Sequence, residues 1–197
     1  GRGAFRGSDE DEAVLLNYLQ SSGTQYINTG YKPLGSSAFT FEVEGGFTAI
    51  GANFQQMGTL PLDALARYDW GISGTKNDKA WTFGVGMAAA NSADLAEHRF
   101  AGNYETGVFT IDGNTVLTIA RAENDSSRDY LLFARMAEWA GKPDCASSFR
   151  MRSCRLSQGE VLVRDFVPTI QNGVVGLKDA KTGAFVTSSS YPLKYGG

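Results

Sequence analysis

Residues 149–179 read FRMRSCRLSQGEVLVRDFVPTIQNGVVGLKD. Their side chains alternate with period two, the period of a strand, and not with the 3.6 of a helix. Phe149, Met151 and Ser153 fall on one face, and Arg150, Arg152 and Cys154 on the other. Ser157-Gln158-Gly159 supplies a turn, where glycine takes positive φ without strain. Val161 and Val163 then alternate with Leu162 and Arg164. Pro168 has no N–H to give a ladder, so it is expected to end that strand or to sit at an edge. Asn172-Gly173 signals a second turn, leading into Val174, Val175 and Leu177. The stretch therefore predicts antiparallel β-structure.

The same period recurs along the chain. Residues 14–19 and 25–29 predict the first two strands. In 38–44, Phe39, Phe41 and Val43 point one way and Thr40, Glu42 and Glu44 the other, which marks a half-buried strand with a wet face. Gly45-Gly46 is expected to end it, with a short strand over 47–51. Pro61 and Asp63 open either a short helix or a loop. Residues 67–73 place Tyr68, Trp70 and Ile72 on one face, and 80–86 place Trp81, Phe83 and Val85 on one face. The Ala-rich 87–96 predicts one or two helical turns, and 97–104 another strand. Residues 108–120, VFTIDGNTVLTIA, form the clearest hairpin, with Asp112-Gly113 at its turn. A strand is predicted over 129–136, a loop over 138–146 and a last strand over 184–187.

Composition agrees with many short strands. The 197 residues include 24 Gly, five Pro and twelve Phe, and 42% are hydrophobic, ample for one core. A net charge of −3 gives no electrostatic basis for nucleic-acid binding. No apolar run approaches the roughly 18 residues that span a bilayer. Residues 1–13 stand apart, with three glycines, Arg2, Arg6 and an acidic run from Asp9 to Glu12. They read either as a solvated arm or as an arm that docks on a neighbour through Arg2, Phe5 and Arg6.

Three segments carry a family resemblance: RMRSCRL at 150–156, LVRDFVP at 162–168 and GVVGLKD at 173–179. A fourth is YLQSSGTQYINTGY at 18–31. Together they resemble the C- and N-terminal signatures of the concanavalin A-like, laminin G-like jelly-roll modules of bacterial surface and phage proteins. The resemblance runs from about Val14 to the C-terminus. It implies an all-β, two-sheet antiparallel jelly-roll sandwich over 14–197, preceded by the arm 1–13. It also implies a non-catalytic recognition module outside the cell or at its surface, carbohydrate-binding or adhesive, with a glycan or a protein surface as partner. The alternative it leaves is a structural or decoration module of an extracellular assembly or phage virion, self-associating through the arm.

Few residues could carry chemistry. Retaining glycoside hydrolysis needs two carboxyls about 5–5.5 Å apart. Glu42 and Glu44 share a strand face, but the Glu-x-Asp-x-Glu pattern of laminarinase-like enzymes is absent. His98 is the sole histidine, and no Gly-x-Ser-x-Gly elbow occurs. An enzyme is therefore not predicted. Jelly rolls of this kind often hold calcium, and Asp112, Asn114, Asn124, Asp125 and Asp129 offer oxygen ligands. The same residues also make turns, so no metal or other cofactor is assigned. Sugar recognition calls for an aromatic face and a few fixed polar groups. Trp139, on a loop between strands, is either a binding platform or a lid over the core. Tyr68 and Trp70 are further candidates, with Arg99 and Tyr104 as polar helpers. Cys145 and Cys154 are either two thiols or, less simply given the strand between them, a bridge.

Overall fold

A computed structural model describes residues 13–50, 54–75, 78–137, 141–188 and 192–197. The arm residues Arg2, Phe5 and Arg6, and Trp139, lie outside these. Among the described residues strand predominates and the helix is a single three-residue 3-10 turn, so no helical layer among them covers either sheet.

In chain order the strands begin with β1 (Ala13–Leu15), β2 (Tyr18–Gln20), β3 (Ile27–Asn28), β4 (Phe39–Phe47) and β5 (Gln55–Leu60). A 3-10 turn at Ala64–Ala66 follows, its first free amide bonded by the Asp63 carboxylate. Next come β6 (Tyr68–Thr75), β7 (Asp78–Phe83), β8 (Gly86–Met87), β9 (His98–Asn103), β10 (Val108–Ile111) and β11 (Asn114–Thr118). The last third holds β12 (Leu131–Leu132), β13 (Arg135–Ala137), β14 (Lys142–Asp144), β15 (Phe149–Gln158) and β16 (Val161–Gln171). It closes with β17 (Val174–Asp179), β18 (Phe185–Thr187) and β19 (Lys194–Gly196).

The larger sheet runs β11-β10-β9-β4-β15-β16-β17-β18, with β1 on β16, β2 on β15 and β19 on β2. The smaller runs β14-β13-β5-β6-β7-β8, with β12 and β3 attached. Pairings are antiparallel except the three-residue contact of β13 with β5. Two packed antiparallel sheets form the expected sandwich. The inner faces are aromatic. Phe39, Phe41, Phe47, Phe100, Phe109 and Phe149 of the larger sheet are buried against Tyr68, Trp70, Trp81 and Phe83 of the smaller. Phe41 stacks on Trp70 with centroids 4.7 Å apart and planes at 15°.

Several local expectations need correction: no separate strand forms over 48–50, β14 lies within the predicted loop 138–146, and Val85 is exposed. Gly45-Gly46 does not end β4, which runs on through Phe47. The glycines are there for close approach. A Cβ on Gly45 would overlap the Arg150 carbonyl oxygen, and one on Gly46 would lie 2.6 Å from the Ala96 carbonyl oxygen. Pro168 lies inside β16, opposite Leu177 of β17. Its carbonyl accepts from the Leu16 amide on the side away from β17. Its missing N–H thus faces the gap between β15, last paired at Phe166, and β1, first paired at Thr169. The Ala-rich segment after β8 forms no helix, being too short to repay nucleation. The strand predicted over 129–136 breaks in two at Phe133, whose φ is +67°.

The strict alternation read for 149–154 also fails, and the failure matters. Met151 opposes Gly45 and Ser153 opposes Glu44, so Arg152 is an extra residue in a β-bulge. Beyond the bulge the parity is reversed. Cys154 and Leu156 are fully buried, and Arg155 is exposed. Both cysteines are free, and burial pushes the Cys145 thiol up to about 11 and Cys154 higher still.

The aromatic interior leaves no spare volume beside β9. A Cβ on Gly102 would overlap the Phe41 ring and lie 2.7 Å from the Phe83 ring. Gly102→Ala is expected to destabilise by about 1–3 kcal/mol through overpacking. A melting temperature lower by several degrees would show it, and an unchanged one would mean that the sheets separate freely.

Candidate functional site

The outer face of the larger sheet follows from its inner one. Because Phe39, Phe41 and Val43 point into the core, Thr40, Glu42 and Glu44 point out. The same logic turns Arg99, Ala101 and Asn103 of β9 outward, and the bulge turns Arg152 and Arg155 outward on β15. Between these rows lies a trough of two basins. One, of about 560 Å³, is bordered by Glu44, Glu97, His98, Arg99, Asp112 and Arg152. The other, of about 630 Å³, is bordered by Thr40, Glu42, Asn103, Thr110, Arg155 and Leu162, with Gly102 among its lining residues.

Ion pairs order the trough. The Arg99 guanidinium lies 2.9 Å from Glu44 and 3.7 Å from Glu42, and so bridges the two carboxylates where the basins meet. Register places Arg99 opposite Glu44 across the β4–β9 ladder. Arg152 donates through its Nε to both oxygens of Glu97, at 3.0 and 3.1 Å. Arg155 lies 3.3 Å from Asp165. Exposed pairs of this kind contribute about 0–1 kcal/mol each, so they orient side chains more than they stabilise the fold.

His98 closes one end. Its Nδ1 lies 2.7 Å from Asp112 and its Nε2 2.7 Å from Asp94. Asp112 sits at the tip of the β10–β11 hairpin, where it and Gly113 have φ of +52° and +81°, as the Asp-Gly signal requires. Its other oxygen accepts from the Arg99 amide at 2.9 Å. Partial burial would by itself lower the pKa of His98. The hydrogen bonds and charges of Asp112 and Asp94 outweigh it and hold the imidazole above its ordinary value. Asp112 is held below its ordinary value, first by the Arg99 amide and then by His98.

The candidate residues are scattered. Arg99 is in the trough, with its side chain 60% exposed. Tyr68, Trp70 and Tyr104 are not: they are 1%, 0% and 1% exposed, inside the aromatic core. Their rings pack against Phe39, Phe41 and Phe83, so no face is free to stack on a sugar. The Tyr104 hydroxyl donates to the Asp69 carbonyl, and that of Tyr68 to the Asn124 carbonyl. Sequence reasoning passed over Arg152, Arg155, Glu97 and Asn103. Alternation alone would have sent Arg155 inward, the bulge that turns it outward has no local signal, and which strands lie side by side was not visible.

Elsewhere the polar clusters are closed on themselves. On the side of the smaller sheet away from the core, Arg67 holds the fully buried Asp69 at 2.7 Å, and Arg135 reaches Asp69 at 3.4 Å and Asp144 at 2.8 Å. Burial raises the Asp69 pKa against the pull of both arginines. The oxygen ligands considered for calcium do not converge. Asp112 is bound to His98, Asn124 to Asp63, Asp125 to the Gly35 amide and Asp129 to Lys32. No group of three or more His, Cys, Asp or Glu among the described residues is placed to hold a metal ion. No helix among them is long and apolar enough to cross a membrane.

No family model and no curated protein matches the chain. Solved structures do. A "putative carbohydrate binding protein" from Bacteroides ovatus superimposes with a TM-score of 0.61 at 12% identity. The match covers 92% of this chain and 60% of that one, so this chain spans about three fifths of that protein's length. At such identity the likeness establishes a shared sandwich fold.

The His98 clamp has a pH window. A histidine held above 6.5 stabilises the fold fully below that value and loses its contribution as pH rises through the folded pKa. Asp112, held below 3.8, contributes above that value and loses its contribution as pH falls through its folded pKa. The clamp is therefore strongest between about pH 4 and 6.5. Calorimetry of the protein and of His98→Gln should show a wider gap in melting temperature near pH 5.5 than near pH 9. Equal gaps would mean that His98 carries no charge in the clamp.

Proposed function

We propose that this chain is a non-catalytic carbohydrate-recognition module of the concanavalin A-like, laminin G-like type, acting outside the cell. Its binding surface is the trough on the outer face of the larger sheet. The observation that carries the reading is the Arg99 bridge between Glu42 and Glu44 where the two basins meet. Saccharides are bound by a few fixed donors and acceptors on a rigid frame, in clefts of about 300–1,000 Å³. Each basin is of that size, and the polar groups stand on paired strands. Ala101, Val108 and Leu162 give the second basin apolar patches that suit the C–H faces of a sugar ring. The Bacteroides ovatus protein, described as carbohydrate-binding, points the same way.

Binding without turnover fits the carboxylates. Glycoside hydrolysis sets one carboxyl on each side of the scissile bond. Glu42 and Glu44 instead share one guanidinium, which occupies the space between them. The module needs no cofactor in this reading, and its partner is a glycan. Trp139, by sequence on the segment joining β13 and β14, is a second proposed platform.

A glycan array with calorimetric follow-up tests this. Arg99→Ala should weaken the best ligand about tenfold or more, as loss of a charged hydrogen-bond donor does. Its melting temperature should stay within about 2 °C, because exposed pairs contribute little. Trp139→Ala separates a loop platform from the trough. Silence on the array, or binding indifferent to both substitutions, would refute the reading.

A further inference from the structure

We infer that the trough accepts neutral or amine-bearing sugars and turns away those carrying carboxylates or sulfates. The inference rests on the saccharide reading above and adds to it the charge class of the ligand.

Among the described residues, each cation of the trough has a carboxylate partner. Arg99 is shared by Glu42 and Glu44, Arg152 is held by Glu97, and Arg155 by Asp165. His98 lies between two carboxylates, Asp94 and Asp112. Among the described residues, six carboxylates thus meet three guanidiniums and one imidazole. Arg150, the next arginine along β15, lies beyond the trough with its guanidinium 4.3 Å above the Tyr18 ring and bonded to Gln20. An anionic sugar entering either basin would stand beside carboxylates of its own sign and compete with them for the same guanidiniums.

Glu42 is the acceptor left over. Its contact with Arg99, at 3.7 Å, is longer than a hydrogen bond, and its side chain is 47% exposed. It borders the second basin between Thr40 and Ala101. A carboxylate in that state has oxygen lone pairs facing the basin and only donors to receive. Sugar hydroxyls and a glucosamine-type ammonium are such donors; a uronate is not.

Calorimetry on the full 197-residue chain tests the charge class, with neutral hexose oligomers, chitosan oligomers and uronate oligomers as probes. Neutral or chitosan oligomers should bind at least about tenfold tighter than uronates at 50 mM salt, the gap narrowing at about 0.5 M as screening shortens the repulsion. Glu42→Gln, nearly isosteric and exposed, should weaken the best ligand about tenfold without altering the melting temperature. Glu42→Lys should shift preference toward uronates. Tightest binding to uronates, or affinities unmoved by both Glu42 substitutions, would overturn the charge class alone. Failure of every saccharide to bind would overturn the reading of the trough as a sugar site, and the charge class with it.

Discussion

The stack of Phe41 on Trp70 joins the two sheets, and the rest of the molecule is arranged around it. Phe41 comes from β4, inside the larger sheet, and Trp70 from β6, inside the smaller. Phe47, Phe100 and Phe149 ring the indole with centroids 5.1–6.2 Å away. Each ring removes about 150–250 Å² from water, which makes this interior the main favourable term in folding. An interior of rings is also rigid in volume. Gly102 is glycine because the Phe41 and Phe83 rings already occupy the place of its side chain.

A fixed inner face fixes the outer one, residue by residue, through the pleat. β15 shows the consequence most sharply. Without its bulge, strict alternation from Phe149 would send Ser153 and Arg155 into the core, where an unpaired guanidinium costs several kcal/mol. Arg152, as the extra residue, reverses the parity, so Cys154 and Leu156 fill the core and Arg155 reaches the trough. The packing of the sheets and the composition of the candidate site thus hang on one inserted residue.

Much of the fold was legible because period-two alternation and turn chemistry are local. The Asp112-Gly113 hairpin, the inward set Phe39, Phe41 and Val43, and the three strands of 149–179 all follow from residues within reach of one another. The departures come from groups distant in sequence. Gly45-Gly46 reads as a strand end until β15 and the segment before β9 are seen to press on it. The parallel contact of β13 with β5 has no local signal. For the site, the face shared by Tyr68 and Trp70 was legible, but its choice of core over solvent was made by Phe39 and Phe41 from the other sheet. The trough was invisible for the same reason. Glu42 and Glu44 stood out, but the cation between them comes from a strand 55 positions further along the chain.

Two charge clusters lie on the outer sides of the two sheets, and they differ in a way that bears on function. The cluster on the smaller sheet sets Arg67 and Arg135 against Asp69 and Asp144, two charges of each sign. Its central carboxylate is fully buried, and Gln56 and the arginines meet its neighbours' remaining hydrogen-bonding needs. Such a cluster is complete, and opening it would leave a buried charge unpaired. The cluster on the larger sheet is exposed and carries more carboxylates than cations, and its pairs add little to stability. A row of ordered, incompletely satisfied acceptors on rigid strands has no structural task that neutral side chains could not perform. In the proposed reading, this cluster would hold oriented oxygens ready for a donor-rich ligand without a further ordering cost.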